Sequence, residues 1–451
     1  MEIKIDKDVC TGCQECSEVC PTYSIRGEKG EAQDLNVESC VRCGACVQKC
    51  KSYVSLIEHG KGMYRQKRSE RSLPDSVLEP LFAANNTSSL ETVEWALGNK
   101  ELFTIVQVAP AVRAALAEDF GYAFGAFTPG KMAAALKALG FDRVYDTNFF
   151  ADLTIMEEAS ELIQRVKEGG LLPMFTSCCP AWVSYMETNH PTLTGHLSTC
   201  KSPQQMAGAV IKTYGAEINK VDAKKIFSVS IMPCTSKAYE AARKEMNSSG
   251  YQDVDVVLTT RELAYLIKDR SINFMTLDDA AFDSPLSAFS GAGEIFGATG
   301  GVMEAALRTG YELLTGTPIP NTDIEAVRHS EGFRKVEVIA GDVTLKAGVV
   351  TGLKNIEPLL EALEKGKTDL HFIEVMTCPS GCVSGGGQPK LLLDTEKEAA
   401  WSCRRNALYE DDTKTKVRKS HENPDIKNIY KDFLGEPLGE KSHHLLHTHY
   451  K

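Results

Sequence analysis

The chain has 451 residues, about three domains at roughly 150 residues each, and its 43% hydrophobic and 25% charged content is ordinary for a globular protein. Lys and Arg number 50 against 61 Asp and Glu, a net charge of -11, which repels phosphate backbones and argues against a nucleic-acid partner. No apolar run reaches the 18 or more residues of a membrane span, and MEIKIDKDVC lacks a signal peptide's apolar core, so a cytoplasmic setting with no membrane partner is expected.

Eight of the 15 cysteines fall within the first 50 residues, a cluster that in the cytoplasm indicates metal or redox groups rather than disulfides. Cys10, Cys13, Cys16 and Cys20, then Cys40, Cys43, Cys46 and Cys50, each follow the spacing C-x2-C-x2-C-x3-C. In such runs three thiolates wrap one 4Fe-4S cube while the fourth serves the other cube. Cys10, Cys13, Cys16 and Cys50 are therefore assigned to one cluster, and Cys40, Cys43, Cys46 and Cys20 to its twin. Zinc sites would instead favour paired C-x2-C knuckles. Pro21 matches the usual C-P ending and Lys51 departs from it. Residues 1–58 are expected to form an α+β two-cluster ferredoxin domain of bacterial type, which moves single electrons.

Residues 59–90 are expected to be a linker, with Lys61, Arg65, Lys67, Arg68 and Arg71 on a solvated face. Beyond it apolar strand-like runs alternate with helical patterns, as in α/β layers: LFTIVQVAP before VRAALAEDFG, LLPMFTSCCP before AWVSYMETNH, IFSVSIMPC before TSKAYEAARKEM, DVDVVLTT before a capped helix, and HFIEVMTCPSGC. Three of these strands end at cysteine: Cys178 with Cys179, Cys234, and Cys378 with Cys382. Ligands gather at the carboxyl ends of strands in open α/β sheets, so a converging thiolate site is expected.

TSCCPAW (Thr176 to Trp182), MPCTSKAYE (Met232 to Glu240) and EVMTCPSGCVSGGGQP (Glu374 to Pro389) resemble the three signature segments of the [FeFe]-hydrogenases. VAPAVR, DLTIMEEASEL, KSPQQ, FGATGGVMEAALR and the stretch from RKSHENP to HHLLHTHYK extend the resemblance over most of the chain after residue 100. It implies an α/β catalytic domain (91–405) of two lobes with parallel and mixed sheets around a buried metal cluster, and a helical small-subunit-like segment (406–451) packed on it. It also implies a third 4Fe-4S cube on Cys179, Cys234, Cys378 and Cys382, the last bridging to a two-iron subcluster with CO, cyanide and azadithiolate ligands. Lys237 would meet one cyanide and the backbone of Ala109 and Pro110 the other. Met232, Pro233, Met376 and Phe296 would line the cofactor, and Gln204 would donate near a carbonyl. Gly385, Gly386 and Gly387 permit close backbone approach.

The resemblance also implies a proton route from Cys178 through Glu158, Ser198 and Glu161 to Arg165, with Glu158 and Glu161 three apart on one helical face. Cys200 and Cys403 are expected to be buried inert thiols, and His443, His444, His447 and His449 to cap and pack a helix. Gly291, Gly293 and Gly297 do not have dinucleotide-loop spacing, so NAD binding is not expected. Thr377 stands where the resemblance leads one to expect alanine. The implied activity is reversible hydrogenase chemistry in a monomer. The implied partners are H2 and protons, ferredoxin or flavodoxin for electrons, and maturation proteins for the two-iron subcluster. The alternative is a noncatalytic iron-sulfur assembly factor or a hydrogen-sensing protein of the same fold; against the assembly role stands the joint presence of Cys178, Lys237, Cys378 and Cys382.

Overall fold

The runs TIVQV, SVSIM and VVLT carry no charge on either strand face, a pattern that fits parallel strands covered by helices on each side. In the computed structural model, which describes residues 2–328, 332–341 and 343–451, they form one four-stranded parallel sheet in the order Val256–Thr259, Ile226–Met232, Phe103–Val108, Arg143–Asp146. Its interior strands are buried along almost their whole length. A second sheet, ordered Phe333–Ala340, Val343–Thr351, Phe372–Met376, Met174–Phe175, is antiparallel at its first pair and parallel thereafter. These sheets are the two lobes.

The 22-residue helix Thr147–Glu168 leaves the edge strand of the first sheet, with the Asp146 carboxylate accepting from the Asn148 N–H as N-cap. It packs against the helices Gly301–Thr315 and Pro203–Lys212 and is buried over most of its length, which is why its carboxylates cannot form an ordinary wet face. Helix Thr260–Asp269 begins with the expected cap: Thr259 and Glu262 form a reciprocal capping box. The helix after MPCTSK is shorter than its pattern implies, Lys237–Ala241.

At the N-terminus the short helices Glu15–Val19 and Ala45–Lys49 pack on each other. Residues 59–90 are not a linker. Strand Ala84–Asn86 pairs antiparallel with Ile3–Ile5, and Leu81–Phe82 with Tyr53–Val54. Helix Leu56–Glu70 buries Tyr64 and Lys67. Lys61 and Arg65 are exposed, but Lys67 is buried with its Nζ 2.7 Å from Asp8 Oδ2 and 3.2 Å from Asp6 Oδ1. The linker reading failed because strands of two or three residues carry too little periodicity to register. The boundary at 405 likewise falls inside a continuous helix, Asp394–Lys414.

Candidate active site

Three parallel strands end at one place. Val108 is followed by Ala109 and Pro110, which start a helical turn; Met232 by Pro233 and Cys234; Met376 by Thr377 and Cys378. Cys179 is the N-cap residue of helix Pro180–Asn189, and Cys382 opens a 3-10 turn. All face one chamber that Ala109, Pro110, Cys178, Cys179, Gln204, Met232, Pro233, Cys234, Lys237, Phe296, Met376, Cys378 and Cys382 line. Every residue expected to touch the cofactor is among them.

The turn that presents Cys382 depends on Gly381, whose φ is +79° and where a Cβ would lie 2.4 Å from Thr299 N. Burial and then the neighbouring thiols push the Cys234 thiol up to about 11 and Cys382 up to about 12, and raise Cys378 well above the usual thiol range. Crowded thiols that oppose one another's ionisation in an enclosed site are stabilised by a multivalent cation, and four such sulfurs suit an iron cube. Thr377 Oγ1 lies 3.3 Å from Cys179 Sγ.

Lys237 Nζ donates to Cys178 O at 3.0 Å and to Glu240 Oε2 at 2.9 Å. Burial works against its charge, but Glu240 together with the nearby Cys178 and Cys234 holds the ammonium above the usual lysine value. Gln204 departs from expectation. Its amide nitrogen donates to Lys237 O and to Glu240 Oε2, both at 3.1 Å, and its oxygen accepts from Ser230 Oγ at 2.9 Å. Both N–H groups are thus taken by protein acceptors, so Gln204 positions the Lys237–Glu240 pair rather than aiming a donor into the chamber. Glu240 is the residue that sequence reasoning missed; its place three residues after Lys237 was the available signal.

A polar column is built on the helix Thr147–Glu168. Glu161 Oε2 accepts from Ser198 Oγ at 2.8 Å, and Oε1 from Arg165 Nη2 at 2.6 Å. Arg165 is half-buried and also reaches the carbonyls of Leu171, Gly195 and Leu197. Glu158 is buried with Oε2 unpartnered. Burial, with the charges of Glu161 and Glu374, pushes its carboxyl up to about 8. Burial raises the Cys178 thiol well above the usual range, and Glu158 is the neighbouring charge that adds most.

The N-terminal cysteines are sorted as their spacing requires. Cys10, Cys13, Cys16 and Cys50 surround one cavity, and Cys20, Cys40, Cys43 and Cys46 another. The second set leans on the chamber: Thr235 Oγ1 donates to Arg42 O at 2.6 Å and Ser236 Oγ to Val41 O at 3.0 Å. At Gly386 a Cβ would lie 2.5 Å from Cys43 O, so only glycine allows this approach. Cys403 is exposed, against expectation, because its helix turns that face outward, whereas Cys200 is buried.

Residues 103–386 match the model for the iron only hydrogenase large subunit, C-terminal domain. The chain belongs to the [FeFe]-hydrogenase family. Residues 398–451 match the iron hydrogenase small subunit and 2–51 a 4Fe-4S dicluster domain. The hydrogenase is 45% identical to the NADP-reducing hydrogenase subunit HndD of Solidesulfovibrio fructosivorans over 99% of this chain and 74% of that protein. It is 40% identical to iron hydrogenase 1 of Clostridium pasteurianum over 94% of this chain and 76% of that protein. Solved structures of [FeFe]-hydrogenase HydA1 from Chlamydomonas reinhardtii match with a TM-score of 0.71 and 42% identity, covering 80% of this chain and 98% of theirs. Cytosolic iron-sulfur assembly component 3 of Rattus norvegicus is more distant, 30% identical over 94% of this chain and 85% of that protein. The hydrogenase interconverts H2 with protons and electrons, and its cofactors are three 4Fe-4S cubes and the two-iron subcluster. Electron carriers and maturation proteins come with the family. Among the described residues no helix is long and apolar enough to cross a membrane.

Proposed function

We propose that electrons enter the hydrogenase from ferredoxin or flavodoxin at the cube held by Cys10, Cys13, Cys16 and Cys50. Cys13 is exposed, which supports that cube as the entry point. They pass to the cube of Cys20, Cys40, Cys43 and Cys46, then to the cube of Cys179, Cys234, Cys378 and Cys382. The carrying observation is the stacking of the Val41–Gly44 loop on Thr235, Ser236 and Gly386, which leaves no intervening element between the second and third thiol sets.

When bound, the two-iron subcluster supplies an open iron position for hydrogen and an amine that accepts a proton. The chain's own groups do the rest. Lys237, fixed by Glu240, presents a positive charge to an anionic ligand, and Ala109 and Pro110 present backbone. Met232, Pro233, Phe296 and Met376 exclude water from the reacting face. Cys178 holds a proton at Sγ between the chamber and Glu158, and Ser198, Glu161 and Arg165 continue the route toward solvent.

The proposed setting is a monomer in the cytoplasm, where a reducing environment suits cysteines spaced as iron ligands rather than paired in disulfides. The proposed organisation is an N-terminal module running to about residue 88, then the catalytic domain with the terminal helices packed on it. Similarity to the NADP-reducing subunit favours a second electron partner, a separate pyridine-nucleotide-reducing subunit. Hydrogen evolution by the purified holoenzyme driven by reduced ferredoxin, flavodoxin or methyl viologen tests these readings. Ferredoxin or flavodoxin should support turnover with the chain alone. Turnover with viologen only, restored by a pyridine-nucleotide subunit, would favour the second partner. Absence of CO and cyanide infrared bands after maturation would return the assembly-factor alternative.

A further inference from the structure

Beside the proton column sits a group that the hydrogen chemistry does not use. Cys200 Sγ lies 3.8 Å from Glu161 Oε2 and 4.0 Å from His447 Nδ1, and the three ligand atoms lie within 4.8 Å of one another. All three residues are buried. Zinc bonds of 2.0–2.3 Å place tetrahedral ligand atoms about 3.3–3.8 Å apart, so small side-chain movements would bring these atoms to that spacing. A thiol, an imidazole and a carboxylate are the donor types zinc takes together.

A second observation fixes the imidazole. His447 Nε2 lies 3.0 Å from Glu157 Oε2, so that nitrogen carries the proton and donates it. Glu157 is held in turn by the Tyr430 hydroxyl and by the Leu438 N–H at 2.8 Å. Nδ1 is therefore the acceptor nitrogen, taking the Thr199 hydroxyl at 2.8 Å with Cys200 Sγ at 4.0 Å, so a cation bound there displaces the Thr199 hydroxyl from its lone pair. A carboxylate behind a histidine whose other nitrogen faces a thiol is the outer support that metal-binding histidines commonly have. Solvent is close: His443 and His449 are exposed, and His443 stacks on His447 at 4.7 Å between ring centroids.

We propose that Glu161, Cys200 and His447 form a site for zinc or a similar thiophilic divalent cation, and that filling it closes the proton route. Binding makes one bond each to Sγ, Nδ1 and Oε2 and releases the thiol proton to solvent, with no change of oxidation state. Oε2 is the atom that accepts from Ser198, so the metal competes with that hydrogen bond. The closure, though not the site, rests on the proposed route through Glu161.

The test is anaerobic titration of the holoenzyme with zinc chloride, reading bound zinc, turnover with a small artificial donor, and zinc-edge X-ray absorption. One equivalent should bind with one sulfur and otherwise nitrogen or oxygen neighbours. Turnover should fall at least tenfold while the CO and cyanide infrared bands stay in place, and a chelator should restore it. Cys200→Ser and His447→Gln should lose the bound zinc and its inhibition; Cys200→Ser, nearly isosteric, carries the test if the histidine variant does not fold. Zinc with two or more sulfur neighbours, with none, or bound equally by Cys200→Ser overturns the site. Zinc bound by this set without slowing turnover upholds the site and removes Glu161 from the proton route.

Discussion

Cys178 and Cys179 are sequence neighbours with separate work, and substitution separates them. Cys178→Ala should keep the CO and cyanide infrared bands while turnover falls by about 100-fold to 10,000-fold, the range for losing a positioned proton carrier. Cys179→Ala should lose or distort the cluster, because a missing thiolate leaves iron under-coordinated. Cys178→Asp should retain more activity than Cys178→Ser, whose hydroxyl is far less acidic; near-parental turnover in Cys178→Ala would place proton entry elsewhere. Glu158 gives a pH signature. Its carboxyl is pushed from 4.5 up to about 8, so between those values the folded state holds a proton that the unfolded chain has lost. Its contribution to stability therefore falls as pH rises through that window. Glu158→Gln should flatten that fall in thermal unfolding between pH 5 and 9, and should also cut turnover at least tenfold with intact infrared bands. Thr377, 3.3 Å from Cys179 Sγ, can donate to the sulfur once it is a thiolate, and hydrogen bonds to cluster sulfurs raise the potential. Thr377→Ala should make the adjoining cube harder to reduce in a redox titration followed by electron paramagnetic resonance; an unmoved midpoint would show that the hydroxyl has no electronic role.

At the level of elements, the N-terminal boundary has a consequence for truncation. Removing residues 1–58 would leave Leu81–Phe82 and Ala84–Asn86 without their partner strands and would expose Tyr64, Val77 and Leu81, which are buried in the N-terminal core. Unpaired edges beside apolar surface favour aggregation. Removal of residues 1–88 takes the whole module away and should yield soluble protein with the two-iron infrared bands and partial activity toward a small artificial donor, but little toward ferredoxin. The shorter deletion should give much less soluble protein, read by size-exclusion chromatography. Equal yields would show that the strand pairs contribute little.

For the whole molecule, three cubes of four irons and one pair give about 14 irons per fully matured chain. Protein made without the maturation machinery should hold about 12 and show no turnover. Iron near eight after anaerobic reconstitution would contradict the third cube. The second thiol set packs on the chamber through Val41 and Arg42, whereas the polar column is built on the helix Thr147–Glu168, so electrons and protons use different residues. That separation makes Cys178 and Glu158 substitutions kinetic lesions with the cluster infrared bands retained.

The sequence by itself determined the two ferredoxin-type clusters, because ligand spacing is local and a cube's geometry restricts which spacings close around it. It also determined the strand ends that present Cys179, Cys234 and Cys378, since two-face burial leaves a plain apolar run. The helix carrying Glu158 and Glu161 was legible, but its burial was not, because carboxylates on a helix look solvated until the Gly301–Thr315 and Pro203–Lys212 helices cover them. Only tertiary structure decided that residues 59–90 belong to the N-terminal module, since strand pairing between Ile3–Ile5 and Ala84–Asn86 joins segments about 80 residues apart. It alone decided that Gln204 is spent on Lys237 and Glu240, and that Cys200 and His447, 247 positions apart, share a buried corner with Glu161. Contacts across such separations are set by how the lobes and terminal helices pack, and no local pattern encodes them.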